Sequence, residues 1–135
     1  MASIFTKIVN GDIPSYKIAE DDNYYAFLDI NPLAKGHTLV IPKKEVDYIF
    51  DMEDDLYRGL FSFAKGVARA IEKVIPCKRI GLTVIGLEVP HAHIHLIPIN
   101  SIYDMDFKQP KLKLKSTEFE NIAKQIREAF SELQG

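Results

Sequence analysis

Apolar positions along this chain change period several times, and each change marks an element. From Asp54 to Val74, Leu56, Leu60, Phe63, Ala64, Val67, Ala70, Ile71 and Val74 recur at helical spacing, with Asp54 and Asp55 at the positive N-terminal end. This stretch predicts the main helix. A second helical pattern runs from Ser116, read as the cap, to Leu133, through Phe119, Ile122, Ala123, Ile126, Ala129 and Phe130. Ile4 to Val9 predicts a short helix stopped at Asn10-Gly11, after which Ile13-Pro14 starts an extended run towards Tyr16 and Ile18. Tyr24 to Leu28 is an aromatic strand ending at Asp29. Turn chemistry follows from Asn31 to Gly36, and His37 to Ile41 reads as a central strand closed by Pro42. Arg79 to Ile85 and His91 to Ile97 are strand-like, and Gly86-Leu87-Glu88-Val89-Pro90 is short enough to join them as an antiparallel pair. Strands and helices segregate along the chain. The expected class is therefore α+β, an antiparallel sheet with one long central helix and a C-terminal helix.

Composition narrows the function classes. With 135 residues and no repeat or pooled linker, the chain reads as one domain over residues 1–135 with one core. Seventeen basic and nineteen acidic residues leave a formal charge of −2, so there is no broad positive field for coating nucleic acid. No apolar run approaches the ~20 residues of a membrane span, and Met1 to Lys7 lacks the form of a secretory signal, so a cytoplasmic protein with no membrane partner is expected. Cys77 stands alone and reads as structural. Lys43-Lys44 reads as a solvated pair.

Histidine is where the chemistry concentrates. The chain has four, and three stand within the run His91-Ala92-His93-Ile94-His95-Leu96-Ile97. On a strand this alternation sends three imidazoles to one face, roughly 6.6–7 Å apart, and Ala92, Ile94 and Leu96 to the other. A core has little use for three such rings, since each brings a donor and an acceptor that must be satisfied. Two chemistries remain: a three-histidine zinc site with an open position, or nucleophilic catalysis at phosphorus. A straight row suits a tetrahedron poorly, and no acidic residue within the cluster orients the rings. Neutral imidazole is a good phosphorus nucleophile near neutral pH, with neighbouring rings free to bind phosphate oxygens.

At these residues the sequence resembles the histidine triad superfamily, whose signature alternates three histidines with apolar positions and stands here as HAHIHLI. SIFTKIVNGDIPSYKIAED and FLDINPLAKGHTLVIPKK agree with it in order and spacing, so the resemblance covers most of residues 3–97. It is most similar to the small nucleotide-binding branch. That likeness implies a homodimer acting at the α-phosphate of a purine nucleotide or nucleotide conjugate, such as a nucleoside phosphoramidate, through a covalent nucleotidyl-histidine. Dinucleoside polyphosphate hydrolysis, or nucleotide sensing with little catalysis, is the alternative. Carried over residue by residue, His93 is the nucleophile, His91 holds it through a backbone carbonyl, and His95 and His37 complete a polar ring around the phosphate. Asp29 matches the ribose carboxylate, able to accept from both hydroxyls. Ile4, Phe5, Ile8, Ile13, Phe27, Ile30 and Leu39 match the apolar base slot, with Glu88 and Val89 beside the nucleotide.

Three departures stand out. Bacterial members often begin Cys-Ile-Phe-Cys and bind a structural zinc; Ser3-Ile4-Phe5-Thr6 offers no thiolate, so neither metal nor cofactor is expected. The loop before the histidines is shorter than the family's, with Leu87 and Glu88 where an amide and a hydroxyl are usual. Finally, residues 101–135, including the basic stretch Lys108 to Lys115, lie outside the motifs and read as a C-terminal extension packed on the domain or bordering the leaving group.

Overall fold

The computed structural model describes residues 2–135. Helix α1 (Ile4–Val9) begins at Ser3, whose Oγ accepts the Thr6 N–H at 3.0 Å. Strands β1 (Lys17–Glu20), β2 (Tyr24–Leu28) and β3 (Thr38–Pro42) follow, then helix α2 (Asp54–Val74), strands β4 (Arg79–Thr83) and β5 (Ile94–Ile99), and helix α3 (Ser116–Gln134). Two single-turn 3₁₀ helices at Ile49–Asp51 and Ile102–Met105 carry no periodic signal in the sequence. The α+β class holds. Ser116 is the first helical residue of α3 instead of its cap: the preceding Lys115 takes that place, and its N–H donates to Glu118 Oε1 at 3.3 Å.

The sheet runs β1-β2-β3-β5-β4, antiparallel throughout, which puts β3 in the middle as its apolar sequence predicts. Period-two alternation then divides the chemistry. Ala26 and Leu28 of β2, Val40 of β3, and Ile94 and Leu96 of β5 pack with Leu60, Ala64, Val67 and Ile71 of α2 and with Ala123 and Ile126 of α3. Each fully buried aliphatic side chain contributes about 1.5–3 kcal/mol. Their alternates, Tyr25, Phe27, Leu39 and Ile41, form a smaller cluster on the opposite face, covered by Phe5 of α1. His95 lies on this second face, opposite Leu39 in the ladder. No helix of the described residues is long and apolar enough to cross a membrane.

One expectation fails at β5, which begins at Ile94 instead of His91. The His91 N–H donates to Val89 O at 2.8 Å and the Ala92 N–H to Val46 O at 2.7 Å, so neither joins the sheet ladder. The connection from β4 is correspondingly longer than the five residues read as its turn.

Glycine at position 59 has a packing reason. A Cβ there would lie 1.9 Å from the Oη of buried Tyr24, which donates to Leu56 O at 3.0 Å and tilts against Phe63. Gly59→Ala, a change that helix propensity alone favours by about 1 kcal/mol, is expected to destabilise the protein by about 1–3 kcal/mol in denaturant unfolding. An unchanged or raised midpoint would show that Tyr24 relaxes freely.

Candidate active site

Three of the four histidines, His37, His93 and His95, meet on the sheet face away from α2 and α3, but not as a straight row. His95 projects from β5, His37 directly precedes β3, and the segment from His91 to His93 bends out of the ladder before the strand begins. Consequently the His93 and His95 ring centroids are 4.9 Å apart and those of His37 and His95 5.2 Å, closer than a flat ladder allows. His91 packs towards the start of α1 instead of joining this group.

Hydrogen bonds to the backbone assign the ring protons. Leu33 N–H donates to His37 Nδ1 at 3.0 Å, so neutral His37 carries its proton on Nε2. That Nε2 lies 3.0 Å from His95 Nδ1, which must accept, leaving the His95 proton on Nε2. One backbone amide thus sets the tautomer of two rings. His93 Nδ1 lies 2.8 Å from His91 O, and a carbonyl only accepts, so Nδ1 carries the proton and Nε2 keeps its lone pair. His91 Nε2 donates in the same way to Pro42 O at 2.8 Å, and its Nδ1 accepts from Ser3 Oγ at 2.8 Å.

Burial keeps these rings neutral. Loss of hydration drives His37 down to about 3 and His95 to about 4, with the neighbouring His95 and His93 respectively adding to the effect. His91 and His93 are lowered by the same cause, partly offset by the carbonyls that accept their N–H groups. Asp29 is held above the usual carboxylate range by burial, although its Oδ1 accepts the Asn31 N–H at 2.9 Å. Its Oδ2 stands 3.5 Å from His37 Nε2. The charge of Glu88 is felt at both His93 and Asp29.

Of the residues matched to a base slot, the fold gathers Phe5, Phe27, Leu39, Ile8 and Val89 into one apolar cluster, with the Phe5 ring 5.0 Å from that of His93. Ile4, Ile13 and Ile30 stand outside it. Ile4 and Ile30 are exposed, and Ile13 and Ile30 line a groove shared with Glu120, Ala123 and Arg127 of α3. Helix α1 turns Ile4 outward because Phe5 occupies its inward face. Lys43 pairs with Glu20 at 2.9 Å.

Several residues at the site escape a sequence reading. Phe107 packs edge-on against His95 at 4.9 Å, and Leu112 N–H donates to Pro32 O at 2.8 Å, strapping the basic stretch beside the histidines. Leu33 and Glu45, and Ser3 and Thr6, which the sequence marked only as lacking thiolates, act through polar contacts with residues 4 to 88 positions away. The one sequence signal that could have pointed to Phe107 is its place next to the basic stretch Lys108 to Lys115.

Two groups of donors invite a test for metal. Around His91 Nδ1 stand Ser3 Oγ, Thr6 Oγ1 and Glu45 Oε1, and these atoms hydrogen-bond to one another or to the ring, with Thr6 Oγ1 donating to Glu45 Oε1 at 2.7 Å. Tetrahedral zinc favours thiolate, imidazole and carboxylate, whereas two of these four groups are neutral hydroxyls whose protons are already shared with the carboxylate and the ring, so this set does not fit it. Asp29, His37 and His95 offer ligand atoms within 4.8 Å of one another, but the contact between the two rings is a hydrogen bond whose proton a cation would have to displace.

Known proteins of one family are similar to this chain in sequence and fold. A family profile described as HIT domain matches residues 10–102. A HIT-like protein of Borreliella burgdorferi is 37% identical, the match covering 91% of this chain and 94% of that one. The adenosine 5'-monophosphoramidase HNT1 of Saccharomyces cerevisiae is 33% identical over 99% of this chain and 84% of its own length. Among solved structures, a zinc-bound histidine triad family protein from Mycobacterium smegmatis superposes with a TM-score of 0.84 at 27% identity, covering 99% of this chain and 96% of that one.

Neutral buried histidines carry a stability cost in acid. The unfolded chain protonates near 6.5 while folded His37 resists down to about 3, so stability is unaffected above that window and falls as pH drops through it. Between pH 7 and 5 the loss attributable to His37 is about 2 kcal/mol. His37→Gln is expected to flatten the pH dependence of urea unfolding by that amount; an equal acid loss in both proteins would contradict a neutral His37.

Proposed function

The chain belongs to the histidine triad (HIT) family, and from that premise we propose that it hydrolyses or transfers a purine nucleoside phosphoramidate at its α-phosphate through a covalent bond to His93. The observation that carries this is the 2.8 Å contact between His93 Nδ1 and His91 O, which leaves the Nε2 lone pair available and stabilises the charge that develops when that nitrogen bonds to phosphorus. The related yeast monophosphoramidase supports the same class of substrate.

In this reading the base enters beside Phe5, Phe27 and Leu39, and Asp29 accepts from the ribose hydroxyls. His95, its proton assigned to Nε2 by the relay from Leu33 through His37, donates to a phosphoryl oxygen. His93 Nε2 bonds to phosphorus as the bond from phosphorus to the leaving amine breaks, and the amine takes up one proton from solvent. Water then attacks the same phosphorus and gives up one proton to solvent as the bond to His93 breaks, which releases nucleoside monophosphate and restores neutral imidazole. Glu88 distinguishes this from dinucleoside polyphosphate hydrolysis. Its negative charge, felt at His93 and Asp29, opposes a leaving group that departs as a phosphate and tolerates one that departs as an amine. As in the resemblance, the working unit is taken to be a homodimer.

His93→Ala is expected to lower turnover by at least about a thousandfold while nucleoside monophosphate still binds, and wild-type protein quenched in mid-reaction should carry an acid-labile nucleotidyl mass on His93. Retained turnover in the variant would sink the mechanism. Glu88→Gln should shift the ratio of kcat/KM values towards dinucleoside polyphosphate by about tenfold when both substrates are assayed side by side; an unchanged ratio would remove Glu88 from substrate choice.

A further inference from the structure

His91 differs from the other three histidines. Its side chain is completely buried and both ring nitrogens are engaged by protein atoms, so it has no atom to offer a ligand. It is instead held on every side. Its Nε2 donates to Pro42 O, its Nδ1 accepts from Ser3 Oγ, and its backbone N–H donates to Val89 O. The peptide that follows is fixed as well: a trans peptide points its N–H and C=O in opposite directions, and here Ala92 N–H reaches Val46 O at 2.7 Å while His91 O faces His93 Nδ1 at 2.8 Å. Behind Ser3 stands Glu45, whose Oε1 accepts the Ser3 N–H at 2.6 Å and the Thr6 hydroxyl at 2.7 Å. With the Thr6 proton committed to Glu45 and the Thr6 N–H donating to Ser3 Oγ, the single Ser3 proton has two acceptors in reach, His91 Nδ1 at 2.8 Å and Thr6 Oγ1 at 3.3 Å, and the shorter contact is the one to His91.

We propose that Ser3, Thr6 and Glu45 form a metal-free hydrogen-bonded clamp that locks the His91 ring and peptide, and through the His91 carbonyl holds His93 in the tautomer whose Nε2 faces the substrate. All four residues, His91 included, are positioning residues: none touches the reacting atoms. The clamp ties the first turn of α1 to the histidine run and to the segment after β3, which the His91 ring and the Ala92 N–H also reach at Pro42 O and Val46 O. The same three side chains are the ones shown above not to suit zinc, and hydroxyls with a carboxylate do by shared protons what a bound cation would do by ligation. The proposal rests on the reading of His93 as nucleophile, but its geometry can be read without turnover.

Ser3→Ala and Glu45→Ala are expected to lower kcat by about five- to twentyfold with KM within about twofold, while the hydroxyl- and acceptor-preserving Ser3→Thr and Glu45→Gln stay within about threefold of wild type. Imidazole ¹⁵N shifts give the independent readout. In wild type, His93 should be the Nδ1–H tautomer, and in Ser3→Ala it should become a mixture of both tautomers without loss of the fold. A lowered Tm with kcat and the His93 tautomer unchanged would reduce the clamp to a helix cap and overturn the proposal, as would one equivalent of zinc in wild type that Ser3→Ala loses. If His93 is Nδ1–H in wild type and mixed in Ser3→Ala but no nucleotidyl adduct forms, the covalent mechanism fails and the clamp stands.

Discussion

A backbone carbonyl decides which nitrogen of His93 can act. The carbonyl of His91 cannot donate, so by accepting from Nδ1 it leaves the lone pair of His93 on Nε2 and nowhere else. For that to work the carbonyl has to stay put, and a chain leaving a loop for a strand is ordinarily the least constrained place to anchor it. Here the segment departs from the ladder early: its amides bond to Val89 and Val46, its ring bonds to Ser3 and Pro42, and the strand begins only at Ile94. The bend that breaks the regular alternation is therefore what brings the His93 and His95 rings within 4.9 Å.

Electrostatics follow from where the sheet puts these rings. The apolar cluster of Phe5, Phe27 and Leu39 excludes water from one side and the sheet from the other, so hydration is lost and the imidazoles stay neutral. Neutrality then makes the directed relay possible, because a protonated His37 would have no lone pair for the Leu33 amide. Under the proposed function, such a site would meet a phosphate with oriented N–H groups instead of net positive charge, in keeping with a chain whose formal charge is −2.

The departures from the family pattern fall around this ring, not within it. Glu88 stands on the loop where the family resemblance leads one to expect a neutral donor, and Phe107 comes from the C-terminal stretch to lie against His95, with Leu112 tying that stretch to Pro32. Helix α3 packs beside α2 and against β1, and its Glu120, Ala123 and Arg127 share a groove with Ile13 and Ile30.

Periodicity made most of the fold legible, because a helix or strand that must bury one face repeats its apolar residues at a fixed interval. Both long helices, the antiparallel sheet and the central place of β3 are visible that way, and alternation at Ala92, Ile94 and Leu96 already separates core from chemistry. Asp29 and the four histidines were likewise legible as candidates from residue type, spacing and family likeness. Strand ends, the bend before Ile94 and the outward turn of Ile4 were not, since they depend on which distant carbonyl or side chain competes for each group. Tautomers belong wholly to the tertiary structure. Leu33, Pro42, Val46 and Glu45 act through backbone atoms or through a carboxylate remote in sequence, and no residue pattern records where such an atom will point.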